Sequence, residues 1–344
     1  MVTQRLPAFK VVIFPLALAA MIFTAGGPLG RPVVKAQGPP DLEAQHRRML
    51  PLFELAGVVF TDADEKSGRL VVGVLDRGVE GLVRARLATL GVSSQLVDVV
   101  ETEAIVPVST LRDKVRPVEA GLQIRFTSYL CSLGFVALRN SVMGYVTASH
   151  CSTTQGTVDS TKYYQPLDQV SDQLIGTEIA DPSFFRNGQC PKGRKCRYSD
   201  ANFSQGDSNA GGFTLGSIAK TTGPNNGSLT IAGAFGITGE GSATVGQTAN
   251  KVGRTTGWTS GLITNTCVDT GVSGSSIVLL CQDFVQSDGT IVGSGDSGSP
   301  VFRIEGGDNV TLLGGLWGGN PSNTMFVYSP IANIEQELGA LQTH

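Results

Sequence analysis

Gly295-Asp296-Ser297-Gly298-Ser299-Pro300 is the stretch from which the rest of the chain can be read. A serine hydroxyl is a weak nucleophile until a neighbouring base takes its proton. The glycines on either side let the backbone turn sharply and aim two N–H groups at one point. Such a pair can hold an oxygen that turns negative when the serine attacks a carbonyl.

The base comes from Val146-Thr147-Ala148-Ser149-His150-Cys151. The chain has three histidines, His46, His150 and His344. His46 precedes the folded regions read below and His344 is the last residue, which leaves His150 as the partner for Ser297. A third group should accept from the other ring nitrogen, holding the tautomer and stabilising the imidazolium. Asp200, in Arg197-Tyr198-Ser199-Asp200-Ala201-Asn202-Phe203, lies between the two in order and has small or apolar neighbours that suit a buried carboxylate. Asp159, Asp168, Asp172, Asp181 and Asp207 compete with it.

Outward from these motifs, the texture is that of a strand-rich chain. The 344 residues include 44 glycines, only 16% are charged, and the net charge is -3. No basic excess points to nucleic acid. From about Gly121 to Tyr328, short apolar runs alternate with Gly, Ser, Thr and Asn, as many short antiparallel strands require. Ile263 to Val268 alternates as a half-buried strand, and Gly223-Pro224-Asn225-Asn226-Gly227 is a turn cluster that can join two β halves. Ser329-Pro330 then opens a helix carrying Ile331, Ile334, Leu338 and Leu341 on one face.

The amino-terminal part reads differently. Residues 1–36 have the form of an export signal: Arg5 and Lys10, an apolar run from Val11 to Thr24, and Val34-Lys35-Ala36 for cleavage. Retention as an anchor is the alternative, though Pro15 interrupts the run. Residues 37 to about 117 contain no cysteine. Strands are expected at 57–60 and 70–74, joined by a turn from Asp62 to Gly68. A helix follows with Val79, Leu82, Val83, Leu87 and Leu90 on its face and Gly91 at its end, then a strand at 96–100. The plain reading is an ordinary small β-β-α-β domain; the sharper one is a pro-segment that assists folding and blocks the site. All six cysteines, Cys131, Cys151, Cys190, Cys196, Cys267 and Cys281, lie beyond residue 130. An even count behind an export signal favours disulfides over a metal site, with the pairing left open. No cofactor is implied.

The histidine and serine motifs, with Lys251-Val252-Gly253-Arg254-Thr255-Thr256-Gly257, resemble those of chymotrypsin-like serine proteases. The resemblance is to the secreted bacterial branch that includes α-lytic protease and the streptogrisins, and it covers about 121–342. It implies a mainly β chain of two six-stranded antiparallel barrels, 118–223 and 224–344, with a C-terminal helix, behind an α/β pro-region at 37–117. It implies Ser297 as nucleophile, His150 as general acid/base, Asp200 as its partner, and an oxyanion hole from Gly295 and Ser297. It also implies an ion pair between Arg254 and Asp296, and a Cys131–Cys151 disulfide. Cys190–Cys196 closing a small loop and Cys267–Cys281 tying two strands complete the pairing.

Three features depart from the family pattern. Ser299 stands for glycine. Leu316, in the substrate-pairing stretch Leu316-Trp317-Gly318, replaces a serine that often bonds the aspartate. Ile291 and Val292, expected to floor the specificity pocket, carry no charge, so uncharged residues before the cut are expected. The implied activity is hydrolysis of protein or peptide substrates through an acyl-enzyme by a secreted monomer, rising through roughly pH 6.5 as the histidine loses its proton. The rival is a silent binding protein on the same scaffold. An α/β-hydrolase esterase would need the order serine, acid, histidine, which is not the order here.

Overall fold

The computed structural model describes residues 40–105, 108–168 and 173–344. The expected export signal and the candidate Asp172 lie outside the described residues. Two compact units divide between Val106 and Pro107.

In the first unit, strands Val58–Asp64, Arg69–Val74 and Val97–Glu101 form one sheet in that order, the first pair antiparallel and the second parallel. Helix Glu80–Thr89 makes the crossover and buries Val83 and Leu87 against Leu70, Val72 and Val97. The β-β-α-β order matches expectation, with shorter turns. Leu82, expected on the buried face, is 60% exposed. It precedes Val83 by one position, which on a helix turns it about 100° away from the sheet. A further helix, Pro40–Arg48, precedes the sheet and had no apolar period to announce it.

The second unit contains two closed rings of antiparallel strands. Gln123–Phe126 pairs with Tyr129–Ser132, which bends at Leu133-Gly134 and continues as Phe135–Arg139. The ring proceeds through Val142–Thr147, Asn202–Gly206, Leu174–Ala180 and Lys162–Tyr164, and closes where Arg125 faces Tyr164. Counting the bent strand once, six strands close it. The second ring runs Thr248–Gly253, Gly257–Gly271, Ile277–Gln286, Met325–Pro330, Asn309–Gly319, Pro300–Gly306 and back, again six. Closure leaves no free edge within either ring, which accounts for so many short strands without one long apolar run. Tyr145, Tyr163, Phe135 and Phe203 fill the first ring, and Ile263, Val285, Val301 and Leu313 the second.

Further strands extend the sheet of the second ring. Phe213–Thr221 pairs with Ile231–Glu240 and Val118–Ala120, and so belongs with the second sheet although it precedes residue 223. Helix Ile331–Leu338 follows Pro330, as expected, and buries Ile331, Ile334 and Leu338. Leu341 is not on it. Gly339, at φ +85°, ends the helix, and Leu341–Gln342 becomes a strand against Phe135–Arg139. The segment ahead of 117 also differs from the expected boundary. Leu111 is fully buried in the core of the second unit, its N–H bonded to Leu229 O, and Ile231 N bonds Ser109 O.

Candidate active site

His150 sits on a short turn, Ser149–Cys151, directly after strand Val142–Thr147. Asp200 sits just before strand Asn202–Gly206, and those two strands are paired, Thr147 opposite Asn202. That register carries the two side chains out at the same end of the ring. Asp200 Oδ2 lies 2.8 Å from His150 Nδ1, and Asp200 Oδ1 accepts from His150 N–H at 2.9 Å. Both carboxylate oxygens are therefore spent on one residue, fixing the ring and the backbone that carries it.

Leu316 supplies no hydroxyl to the Asp200 carboxylate; Ser329 Oγ accepts instead from the Asp200 backbone N–H at 2.9 Å and donates to Gln282 Oε1. Burial acts to raise the Asp200 pKa, but the charge and hydrogen bonds of His150, with Arg197 behind, bring it below the usual carboxylate value. For His150 burial acts to lower the pKa, and the charge and hydrogen bond of Asp200 prevail and raise it above 6.5. About a third of the side chain, 36%, still reaches solvent.

The serine loop meets the histidine turn through the bend in the first ring. Ser132 N donates to Ser297 O at 2.8 Å, and Ser132 Oγ donates to Gly295 O at 2.9 Å. Gly298, at φ +89°, has no space for a side chain, since a Cβ there would lie 2.2 Å from Ser132 O and 2.3 Å from Thr147 Oγ1. Cys151, disulfide-bonded to Cys131, brings its Sγ to 4.0 Å from Ser297 O. Ser297 is half-buried. Its Oγ and His150 Nε2 are not hydrogen-bonded to each other; the two residues line neighbouring cavities that share Gly318 and Gly319. The N–H groups of Gly295, at φ +96°, and of Ser297 donate to no protein group among the described residues, which leaves both available to an incoming oxygen.

The expected ion pair is corrected. Asp296 pairs with Lys251, Nζ to Oδ2 at 3.4 Å, both side chains fully buried, and not with Arg254. Lys251 shares a face of strand Thr248–Gly253 with Ala249, pointing into the second ring, whereas Arg254 falls past the strand's end. A lysine at an inward position of a strand was the signal for this pairing. Asp296 also accepts from Thr255 N, Thr256 N, Thr256 Oγ1 and Gly293 N. Ser299, in place of glycine, donates its hydroxyl to Asp296 O at 2.6 Å beside the bare Gly253.

Of the expected pocket residues, Val292, Leu316 and Gly318 line a cavity of about 180 Å³ beside Ser297, with Asn320 and Asn323. Ile291 does not. It is fully buried in the second core, its N–H on Asn323 O and its carbonyl accepting from Thr259 Oγ1. Trp317 and Gly318 line a larger cavity of about 520 Å³ that includes His150 and Asp200. Cys190–Cys196 and Cys267–Cys281 are disulfides.

Behind the histidine lies a polar cluster absent from the sequence reading. Arg197 and Asp181 form an ion pair at 2.8 Å with both side chains at 0% exposure, and Ser149 Oγ bonds each of them. Asp181, a competitor for the histidine, is thereby engaged. Asp159 holds Thr161, Asp168 pairs with Arg125 at 3.0 Å, and Asp207 accepts from Asn209 N. Glu337 on the C-terminal helix accepts from Tyr198 N at 2.8 Å, Ser199 N at 3.0 Å and Ser199 Oγ at 2.6 Å, the two residues before Asp200. Gln282 accepts from both Ser329 Oγ and Trp317 Nε1 and donates to Tyr198 O. No cluster of three or more metal-ligating side chains occurs among the described residues.

No family model and no curated protein matches the chain. Among solved structures it is similar to Thermobifida fusca Protease A, at 22% identity over 65% of this chain and 97% of that one, TM-score 0.44. It is similar to the Nocardiopsis protease, at 22% identity over 65% and 97%, TM-score 0.45. It is similar too to the Cellulomonas bogoriensis chymotrypsin, at 21% identity over 66% and 98%, TM-score 0.44.

Proposed function

We propose that the chain is a secreted serine endopeptidase that hydrolyses peptide bonds through an acyl-enzyme. Ser297 attacks the carbonyl, His150 takes its proton and returns it to the leaving amine, and Asp200 orients and stabilises the imidazolium. The N–H groups of Gly295 and Ser297 receive the oxyanion. The observation that carries the reading is the double engagement of Asp200 by His150, 2.8 and 2.9 Å, beside a half-buried serine on a glycine-flanked turn with two spare N–H groups. The Ser297–His150 hydrogen bond is absent here, and the mechanism requires it to form when substrate binds.

Val292, Leu316 and Gly318 receive the uncharged residue before the cut; among the described residues no cationic or anionic side chain lines that cavity. Trp317 flanks the residues ahead of it. The unit ending at Val106 is assigned as a pro-segment, removed on maturation.

The test is Ser297→Ala. A serine-directed phosphonate should label the wild-type chain and not the variant, and hydrolysis of a peptide library should vanish while circular dichroism and melting stay unchanged. Equal labelling of both proteins would refute the assignment.

A further inference from the structure

Release of Arg254 from its expected partner leaves it beside the reacting loop. Its Nε donates to Gln123 Oε1 at 2.7 Å and its Nη1 to Thr255 Oγ1 at 3.1 Å, both neutral groups. A Cβ built on Gly295, the residue offering an oxyanion N–H, would lie 2.6 Å from Arg254 Nη1. A second arginine, Arg112, is exposed and reaches the same place, its Nε donating to Arg254 O at 2.9 Å. Among the described residues neither guanidinium has a carboxylate within ion-pair distance. Burial and the charge of Arg112 both press against the charged form of Arg254, and Asp296 opposes them. Two unneutralised guanidinium groups side by side repel unless an anion lies between them, and their planar forks suit a carboxylate.

The direction of the chain through the site places this pair. The cavities lined by Val292, Leu316, Trp317 and Gly318 take the residues before the cut. Arg254 and Arg112 line neither. Arg254 lies instead on the side of Ser132, whose Oγ accepts from Arg254 N at 3.0 Å, next to the Cys131–Cys151 bridge. On the hydrolase reading, a substrate that fills those cavities ahead of the scissile bond would continue past Ser297 toward this side.

We propose that Arg254 and Arg112 form a carboxylate-binding subsite for the substrate residues that follow the scissile bond. This rests on the hydrolase reading above. The carboxylate is either an Asp or Glu side chain or the free C-terminus of a short substrate, and the chemistry of recognition is the same.

The experiment compares kcat/KM of the secreted protein on three matched peptide sets: Asp or Glu at the first or second position after the cut, with an amidated terminus; Asn or Gln there, amidated; and Asn or Gln there with a free carboxylate close behind. An acid-to-amide ratio of about tenfold is expected, falling as salt is raised. Arg112→Glu should invert the ratio in favour of the amide peptides. Arg254→Gln should bring it near one, a ratio that general loss of activity does not alter. Preference only in the third set identifies the C-terminal carboxylate as the ligand. Cleavage of the neutral amidated set with ratios near one in both comparisons overturns the subsite and leaves hydrolysis standing. No cleavage of any set overturns the hydrolase reading and the subsite with it.

Discussion

His150 gains a partner in the folded chain, and that has consequences on the pH axis. Its pKa is raised by Asp200, so the neutral form needed to accept a proton appears only above the ordinary histidine value. The acidic limb of kcat/KM should therefore have its midpoint above pH 6.5, higher than the sequence alone suggested; a midpoint below that value would contradict the geometry. The same shift stabilises the fold below pH 6.5, and that contribution is lost as pH rises through the folded-state value. Asp200, with its pKa lowered, adds stability above the ordinary carboxylate value, lost as pH falls through its folded-state value. Lys251 gives the second residue-scale test. Lys251→Met leaves the Asp296 carboxylate buried without its cation, which should lower unfolding stability by about 3–5 kcal/mol in urea titrations. Arg254→Met, by contrast, should cost less, about 1–3 kcal/mol, because it loses hydrogen bonds to Gln123 and Thr255 but no ion pair.

The C-terminal helix is more than a cap on the second barrel. Through Glu337 it holds the backbone of Tyr198 and Ser199, and Asn333 Nδ2 donates to Tyr198 O at 3.1 Å. Asp200 is the next residue, so the helix sets where the carboxylate meets the imidazole. Glu337→Ala should lower kcat by about ten- to a hundredfold with KM nearly unchanged, since a small displacement of a reacting group is costly. Glu337→Gln keeps an acceptor and should recover part of the loss. Equal kcat in the alanine variant would make the contact merely structural. The helix itself was readable from Pro330, Ile331, Ile334 and Leu338, as were the strands with alternating burial. Leu341 was misplaced because an apolar residue at helical spacing looks the same after the helix has ended, and only Gly339 in a left-handed conformation decides the stop.

For the whole molecule, the division near 106 constrains maturation. Ser109 and Leu111 are hydrogen-bonded into the second unit, and Leu111 is fully buried there. If the first unit is removed, the cut should fall on the amino-terminal side of Ser109; mass spectrometry of the secreted chain should find a start before that residue. A mature start near Gly121, still active and as stable, would count against this. Leu111→Ala should destabilise the second unit by about 2–5 kcal/mol, as truncation of a buried leucine does.

Local chemistry was enough to nominate Ser297 and His150 as the candidate pair and to place Asp200 ahead of its competitors. A nucleophile needs a base and glycine-flanked donors within a few residues, and three histidines left one choice. The strand-rich class was legible as well, because alternation and turn residues are properties of neighbours along the chain. What folding alone decided were contacts across long separations. Lys251 rather than Arg254 answers Asp296, Ser329 holds the Asp200 backbone N–H, Ile291 turns inward, and Glu337 steadies a loop 138 residues earlier. Each depends on which face of a strand or helix meets which neighbour. Barrel closure and strand register settle that, and a linear pattern does not encode either one.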